Sequence, residues 1–349
     1  MNKPPYYVPL MTEIRNFPWN GFTVASTFSG CGGSSLGYKM AGFKVLWASE
    51  FIPLAQETYR ANHPNTILDT RDIRIVKPEE VLAMLNMKPG ELDILDGSPP
   101  CASFSTAGKR QDGWGKVKKY SDGKQRTDDL FYEFIRLVRG IKPKVFVAEN
   151  VSGLVKGTAK GYFLEILKTM KASGYCVSCR ILDAQWLGVP QQRKRTIFIG
   201  VRSDLNILPI HPKPLLYNYS IRDALGLCNY KAEAESDISR YCTGKEWDKL
   251  EEGEQSKKYF SLIRVNRNKP SPTILASHGS AGIASITHYT EKRKFYISEL
   301  KRLSGFPDDF ILTGNYAQKW ERIGRAVPPV MMYHIATTVR DKILAKTKL

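Results

Sequence analysis

Residues 22–33 read FTVASTFSGCGG, and this stretch decides the fold class. The segment Phe22–Phe28 is short, rich in apolar and β-branched residues, and typical of a buried strand. The glycine-rich turn that follows lets the backbone bend tightly against a ligand. A helix after such a turn presents an electropositive N-terminus to that ligand. A strand, a turn and a helix in this order predict the first unit of a parallel α/β sheet.

The same alternation of strands and helices continues through residue 201. Short apolar runs predict strands, and runs with helical spacing predict helices. The further strands are Lys44–Glu50, Leu92–Asp96, Val145–Glu149, Tyr175–Asp183 and Thr196–Val201. The helices are Pro53–Asn62, Leu130–Val138 and Phe163–Ala172. We therefore predict an α/β fold class, with a doubly wound, mostly parallel sheet and a second, smaller domain.

The regular pattern stops at about Leu205 and returns at Lys294, which predicts the domain organisation. Residues 205–293 are irregular and include a stretch of mixed charge, Glu246–Lys258. We therefore predict that residues 1–204 form a larger domain and residues 205–293 a smaller one. Residues 294–349 then return to the larger domain.

The charge of the chain indicates its partner. The sequence has 349 residues and a formal net charge of +18, with 52 Lys and Arg against 34 Asp and Glu. This excess favours a polyanion, either a nucleic acid or an anionic membrane surface. No apolar run is long enough for a transmembrane helix, and the N-terminus lacks the apolar core of a signal peptide. The six cysteines are dispersed, which predicts reduced thiols in a soluble intracellular protein.

The turn after the first predicted strand indicates a nucleoside-containing cofactor. Glu50 ends the second strand, where a carboxylate can accept hydrogen bonds from a ribose hydroxyl pair. The spacing G-C-G-G differs from the GxGxxG of pyrophosphate binders, and Phe28 stands where an adenine could stack. S-adenosylmethionine therefore fits this pattern better than NAD. The alternative is a structural turn with a solvated Glu50.

Three other motifs stand beside predicted strands. Ser98-Pro-Pro-Cys101 is a rigid turn that suits the fixed presentation of a nucleophile, although most free cysteines are simply buried. Glu149 ends a strand, where a carboxyl acts as an acid or caps a turn. Arg193 and Arg195 share one strand face, which points into an anionic site or to a solvated edge. The lone Cys176-Val-Ser-Cys179 lacks a second metal-spaced pair, so we predict no metal site.

Taken together, these motifs resemble those of the DNA (cytosine-5)-methyltransferases, in the family's own order and over nearly the whole chain. The matching segments are FSGCGG (28–33), Glu50, Asp72-Ile73, SPPC (98–101), ENV (149–151), QQRKR (191–195), RLSGFPDDF (302–310) and GRAVPP (324–329). The chain departs from the family at three positions. The family has Asp where this chain has Ser26, Gln in place of Ala102, and Asn in place of Arg325. These departures leave details of cofactor and base contacts open.

The resemblance implies the S-adenosylmethionine-dependent methyltransferase fold, with S-adenosylmethionine as cofactor and S-adenosylhomocysteine as product. The residues that it assigns to the cofactor are Phe28, Ser29, Gly30, Cys31, Gly32, Gly33, Glu50, Asp72, Ile73, Pro100 and Leu130.

The implied reaction methylates C5 of a cytosine that has flipped out of a specific duplex DNA sequence. Cys101 is expected to add to C6 as the nucleophile, because C5 of cytosine attacks a methyl group only after this addition. A protonated Glu149 would hydrogen-bond N3. Arg193 is the expected partner of O2, and Arg195 is expected to orient neighbouring groups.

The resemblance also implies where the DNA is held. Between Lys109 and Arg126, seven Lys and Arg outnumber two Asp, and glycines are frequent. We predict a flexible lid that closes over DNA phosphates; the alternative is a solvated loop with no role. Residues 205–293 resemble a target-recognition domain. The expected DNA contacts are Ser105, Lys109, Arg110, Lys116, Lys118, Lys119 and Thr273.

Two alternatives remain open from the sequence. A transfer-RNA cytosine-5 methyltransferase uses the same motifs, including Pro-Pro-Cys. A non-catalytic nucleic-acid-binding relative would lack the Cys, Glu or Arg that this chain has. The expected setting is the modification half of a restriction-modification system, whose cognate restriction endonuclease acts on the same site without direct contact. We expect a cytoplasmic monomer, associated with the nucleoid through DNA and with no membrane partner.

Overall fold

The computed structural model describes residues 3–100, 118–120, 123–125, 129–155, 159–226 and 230–348. The chain forms two compact units. The sheet unit contains Phe17–Leu182, Lys194–Lys213 and Met332–Leu349. The smaller unit contains Met1–Asn16, Asp183–Arg193 and Pro214–Met331.

The strands follow the predicted order along the chain. They are β1 (Thr23–Thr27), β2 (Lys44–Ser49), β3 (Ile67–Asp69), β4 (Ile94–Gly97), β5 (Lys118–Tyr120), β6 (Gly123–Gln125), β7 (Val145–Val151), β8 (Tyr175–Asp183), β9 (Lys194–Arg202), β10 (Ile263–Arg264) and β11 (Ile286–Thr287). Seven of the described strands form one sheet, in the order β3-β2-β1-β4-β7-β9-β8. The neighbouring strands β3, β2, β1, β4 and β7 are parallel to one another, and β9 runs antiparallel to β7. The predicted doubly wound, mostly parallel sheet is confirmed.

The helices alternate with these strands. They are α1 (Met11–Ile14), α2 (Gly33–Met40), α3 (Pro53–Asn62), α4 (Pro78–Leu85), α5 (Leu130–Ile141), α6 (Ala159–Lys171), α7 (Ile221–Leu225), α8 (Cys242–Trp247), α9 (Ile297–Leu303), α10 (Tyr316–Arg325) and α11 (Pro329–Lys342). Proline opens α3 and α4 at positions where the missing N–H has no helical partner anyway. No helix of the described part combines the length and apolarity that a membrane crossing requires.

Helix α5 buries one apolar face in the core of the sheet unit. Its apolar residues recur three and four positions apart, so that Leu130, Phe134, Leu137 and Ile141 are all buried. They pack in one hydrophobic cluster with β4 and β7, to which Leu95 and Phe146 contribute. The strand residues are buried on both faces, as expected of a parallel sheet covered by helices.

The smaller unit has its own hydrophobic core, which α7, α9 and α10 share. Ile221, Leu300 and Trp320 are fully buried in this cluster. The bounds of this unit therefore differ from the predicted domain of residues 205–293, because residues 294–331 belong to the same core. Spacing along the chain reports local conformation and contains no information about which core a helix joins.

Candidate active site

The carboxyl ends of the parallel strands form the edge at which ligands bind in such sheets. The turn after β1 has an unusual backbone there. Phe28 has φ +53°, a left-handed conformation that a bulky side chain adopts only where its surroundings impose it. Gly30 and Gly32 follow with φ +56° and +92°. The predicted cofactor turn is thus a constrained loop at the ligand-binding edge.

Glu50 ties this loop to the end of β2. Its Oε2 accepts a 2.7 Å hydrogen bond from the Gly30 N–H, and its Oε1 accepts one of 2.7 Å from the Ile52 N–H. Carboxylate oxygens have more than one acceptor position, and the hydroxyls of a ribose are suitable donors to them. The side chain is buried, with 7% of the residue exposed. This donor and acceptor set fits the ribose of a nucleoside cofactor.

The glycines of the loop differ in their surroundings. A Cβ on Gly30 would meet nothing within 4 Å, whereas one on Gly32 would lie 2.3 Å from His63 Nε2. The loop is therefore open on its Gly30 side and packed on its Gly32 side. Cys31 is buried, with 2% of the residue exposed. Ser29 donates its hydroxyl to the Ser26 carbonyl at 3.0 Å.

The predicted adenine-contacting residues lie beside α5. Asp72 forms an ion pair with Arg74 at 2.9 Å, and Arg74 also pairs with Asp129, the residue before Leu130. Ile73 and Leu130 are 4% and 2% exposed and belong to the hydrophobic core. Both residues therefore contribute to the fold, and their predicted contact with the cofactor stays a prediction.

The nucleophile turn begins directly after β4. The Asn150 side chain, at the end of β7, donates from Nδ2 to the Pro99 carbonyl at 3.1 Å. This bond joins the glutamate motif to the turn that precedes Cys101, and Pro100 is half-buried. Cys101 itself lies outside the described residues, as do Ser105, Lys109, Arg110 and Lys116. Lys118 and Lys119 lie in β5, of which the structure describes the backbone.

Glu149 and Arg195 form the charged pair of the site. Arg195 Nε lies 2.8 Å from Glu149 Oε1, and the two side chains are 13% and 11% exposed. Val151 pairs with Arg195 in the β7–β9 register, and Glu149 pairs with Ile197. Arg195 and Glu149 are therefore diagonal neighbours on one face of the sheet. Burial lowers the pKa of Arg195, and the Glu149 carboxylate opposes that change.

The described contacts of Arg193 all lie within the smaller unit. Strand β9 begins at Lys194, so Arg193 does not share the strand face of Arg195. Its guanidinium is 2% exposed and donates to the carbonyls of Gly324 and Ala326 at 2.9 Å, and to that of Ile274 at 3.3 Å. A guanidinium held by backbone carbonyls of its own unit stabilises that unit. These contacts favour Arg195 over Arg193 as the partner of O2, and the role of either arginine stays a prediction.

The remaining predicted contact, Thr273, lies in the smaller unit. Its hydroxyl donates to the Gln192 carbonyl, and Gln191 accepts from the Ile274 N–H at 3.3 Å. Gln191 also donates to Ser304 Oγ at 3.1 Å. Gln191, the glutamine of the Q-x-R-x-R element, thus joins segments of the smaller unit by hydrogen bonds. Among the described residues, no group of His, Cys, Asp and Glu is arranged to hold a metal.

Two residues of the site edge received no predicted role from the sequence, namely Asn150 within the ENV match and Asp96 at the end of the predicted strand Leu92–Asp96. Asn150 follows Glu149, and the side-chain amide of asparagine can donate hydrogen bonds to the backbone of a neighbouring turn. Asp96 lies one residue before the end of β4 and is 1% exposed. The carboxylate at the end of the predicted strand Leu92–Asp96, shortly before the turn that leads to Cys101, was the available signal for Asp96.

The constrained glycine loop, the buried Glu50 carboxylate and the buried Glu149–Arg195 pair lie at the carboxyl ends of the parallel strands. This arrangement fits the class of enzymes that bind a nucleoside cofactor at that edge. The chain belongs to the C-5 cytosine-specific DNA methylase family, whose model matches residues 22–341. It is a DNA (cytosine-5-)-methyltransferase, its methyl donor is S-adenosylmethionine, and the resemblance found in the sequence is confirmed.

Similar proteins support this assignment over nearly the whole chain. Type II methyltransferase M1.HphI of Haemophilus parahaemolyticus is 31% identical over 340 residues, covering 91% of this chain and 86% of the relative. Type II methyltransferase M.NgoPII of Neisseria gonorrhoeae is 30% identical and covers 93% and 97%. A solved prophage-encoded DNA modification methyltransferase from E. coli has a TM-score of 0.75 at 22% identity, covering 93% and 100%. That last likeness shows the fold.

Proposed function

We propose that this enzyme is the modification methyltransferase of a restriction-modification system and methylates one cytosine in a specific duplex sequence. The relatives of similar length are named Type II methyltransferases, which supports this role. The single observation that carries the chemistry is the Glu149–Arg195 pair beside the turn that precedes Cys101. A cognate endonuclease acts on the same DNA site, and the methyltransferase acts as a monomer.

Within this proposal, Cys101 adds to C6 of the flipped cytosine. The addition places negative charge on the N3 and O2 side of the ring, where hydrogen-bond donors stabilise it. Glu149, in its protonated form, donates to N3. Arg195 donates to O2, because its guanidinium already lies against Glu149 on the same face of β7 and β9.

The cofactor is held on the other side of the same edge. S-adenosylmethionine supplies the methyl group that C5 accepts. Glu50 binds the ribose hydroxyls, and the backbone of the loop 28–33 encloses the rest of the cofactor. Release of Cys101 requires loss of the C5 proton, after which the ring regains its aromatic character.

The smaller unit and the lid contact the DNA in this proposal. Residues 205–293 choose the target sequence, since they lie outside the sheet edge that holds the charged pair. The segment Lys109–Arg126 contacts phosphates through its excess of basic residues. The enzyme therefore acts in the cytoplasm at the nucleoid.

Bisulfite sequencing of DNA from cells that express the chain tests the proposal. We expect one methylated cytosine within a single recurring sequence, and no methylation in cells that express Cys101→Ala. Purified wild type should form a denaturation-resistant adduct with DNA that has 5-fluorocytosine at that site. Methylation of transfer RNA without methylation of DNA would contradict the proposed substrate.

A chimera tests the target-recognition assignment separately. Residues 205–293 are replaced by the equivalent segment of a relative that methylates another site. A folded, active chimera should methylate the donor's site. Continued methylation of the original site would assign sequence choice to another part of the chain.

A further inference from the structure

Asp96 is a buried carboxylate whose described partners are all hydroxyls. Ser34 Oγ donates to Asp96 Oδ2 at 2.7 Å, Ser26 Oγ donates to the same oxygen at 3.0 Å, and the Tyr38 hydroxyl donates to Oδ1 at 3.3 Å. Asp96 is 1% exposed, and Ser26, Ser34 and Tyr38 are buried too. Burying a carboxylate without a cation beside it is costly. Packing alone therefore does not account for an acid at this position.

The partners of Asp96 connect two parts of the active site. Ser34 and Tyr38 lie in α2, directly after the cofactor loop, and Ser26 lies in β1, directly before it. Asp96 lies in β4, whose last residue, Gly97, precedes the turn that leads to Cys101. The carboxylate thus holds the element after the cofactor loop against the strand that leads to the nucleophile.

Ser26 and Asp96 are also register partners on the adjacent parallel strands β1 and β4. The chain has Ser26 where the family it resembles has Asp, so that β1 lacks an acid at this point. Asp96 places a carboxylate at the same level of the sheet from the neighbouring strand. The two neighbouring positions together therefore still supply one acid, from β4 instead of β1.

We propose that Asp96 is a positioning residue that sets the cofactor loop against the nucleophile strand, replacing from β4 the acid that β1 lacks at Ser26. This proposal rests on the proposed roles of the loop 28–33 and of Cys101. Asp96 acts on the cofactor through Ser34 and Tyr38 and does not touch it. Loss of the Asp96 carboxylate is therefore expected to lower cofactor affinity, which is measurable without methyl transfer.

The charge of Asp96 also makes this link sensitive to pH. Burial raises the pKa of Asp96 to about 7, and the Glu149 carboxylate on β7 adds to the rise, while the three hydroxyl donors oppose it. Tyr38 on α2 and Tyr59 on α3 face the same carboxylate, and their own pKa values are raised, so that both stay neutral. The ionised carboxylate accepts hydrogen bonds from all three hydroxyls, whereas the protonated carboxyl must itself donate one hydrogen bond. Cofactor affinity is therefore expected to fall as the pH drops through about 7.

Calorimetric titration of the whole enzyme with S-adenosylhomocysteine tests the proposal. At pH 8, Asp96→Asn should raise the Kd about tenfold or more, because an amide N–H₂ replaces an acceptor that hydroxyls need. The Kd of the wild type should rise about tenfold between pH 8 and pH 6, and that of Asp96→Asn should stay constant. A wild-type Kd in Asp96→Asn at pH 8 would overturn the proposal.

Asp93 provides the matched control. It precedes β4, at the opposite edge of the sheet, where it pairs with Lys144 at 2.8 Å and accepts from the Thr23 N–H at 2.8 Å. Asp93→Asn should lower the melting temperature and leave the Kd for S-adenosylhomocysteine within about twofold. An equal loss of affinity in Asp93→Asn and Asp96→Asn would show a general effect of stability and overturn the positioning role.

An exchange of the two residues tests the replacement itself. Asp96→Ser should weaken S-adenosylhomocysteine binding about tenfold, and Ser26→Asp should also weaken it, because two buried carboxylates then face each other. The double variant Ser26→Asp/Asp96→Ser should recover a Kd within about threefold of the wild type. A double variant that melts like the wild type but does not recover binding would overturn the exchange. Absence of binding in the wild type itself would instead contradict the cofactor assignment.

Discussion

The two compact units both bury charged residues, but they use them differently. In the sheet unit, the described contacts of Arg195 are an ion pair between Nε and Glu149 Oε1 and a hydrogen bond from Nη1 to the Lys194 carbonyl. In the smaller unit, Arg293 donates from Nη1 and Nη2 to the two oxygens of Glu299 at 2.7 and 3.0 Å, and from Nε to Glu291 at 2.8 Å. The Glu299 side chain is only 2% exposed, against 11% for Glu149.

In the proposed function, this difference separates the pair that contacts the base, Glu149–Arg195, from a pair that stabilises the fold, Glu299–Arg293. A bidentate arginine–carboxylate pair with every nitrogen engaged has little capacity for a ligand. A pair that meets through one oxygen, at the ligand-binding edge of a sheet, retains acceptor and donor positions for a substrate. Lys294 is another buried charge that stabilises the smaller unit, since its Nζ donates to the carbonyls of His278 and Ser280.

Arg193 and Arg195 show the same contrast within three residues of sequence. Arg193 belongs to the smaller unit and binds three carbonyls there, whereas Arg195 belongs to the sheet unit and binds Glu149. The Q-x-R-x-R element therefore contributes one arginine to the fold and one to the proposed chemistry. The predictions below test this division, beginning with the largest expected effect.

Removal of the nucleophile should have the largest effect. We expect Cys101→Ala to lower kcat for methyl transfer by about 10⁴-fold or more, because the C5 carbon is not activated without addition at C6. Incorporation of tritiated methyl groups into duplex DNA measures this change. Cys242→Ala, at an exposed free cysteine of the smaller unit, should keep wild-type kcat. Substantial turnover by Cys101→Ala would end the covalent mechanism.

Changes to the charged pair should come next. Glu149→Gln and Arg195→Met should each lower kcat about 10²- to 10³-fold, because donors to N3 and O2 matter most after the nucleophile has added. The Kd for S-adenosylhomocysteine should stay close to that of the wild type. Single-turnover kinetics and calorimetric titration separate the two quantities. If Glu149→Gln keeps wild-type kcat, the pair stabilises the sheet, and the contrast between the units disappears.

Arg193→Met should give the opposite result. Three backbone carbonyls lose their donor, so the free energy of unfolding should fall by about 1–3 kcal/mol, while kcat per folded molecule stays unchanged. Calorimetric melting and active-site titration with 5-fluorocytosine DNA measure the two effects. Lower kcat at unchanged stability would return Arg193 to the reacting groups.

The lid should contribute the smallest and least specific effect. Neutralising Lys116, Lys118 and Lys119 together should reduce the slope of log K for DNA against log salt by about 0.9 for each phosphate that the variant no longer neutralises. Target choice should be unchanged, because phosphate contacts position a protein without reading sequence. The matched control neutralises the exposed lysines of α6, Lys160, Lys168 and Lys171, and should leave the slope unchanged. Equal changes in both variants would remove the lid from the DNA interface.

The sequence by itself determined the fold class, the family and most of the cofactor loop. Strand β8 and helix α3 have the predicted bounds, because periodicity and a proline at a helix start act over a few residues. The turn at Gly30 and the acceptor at Glu50 were likewise predicted from the order of glycine turn and acidic strand end. These features depend on local chain conformation, which the order of neighbouring residues specifies.

Only the tertiary structure decided which charged groups meet. Ser26 and Asp96 are far apart in sequence and became partners because β1 and β4 are adjacent strands. Arg193 and Arg195 looked equivalent by alternation, but β9 begins between them, and the two side chains belong to different compact units. The role of a buried charge depends on the donors and acceptors that distant segments bring to it, and residue spacing along the chain does not contain that information.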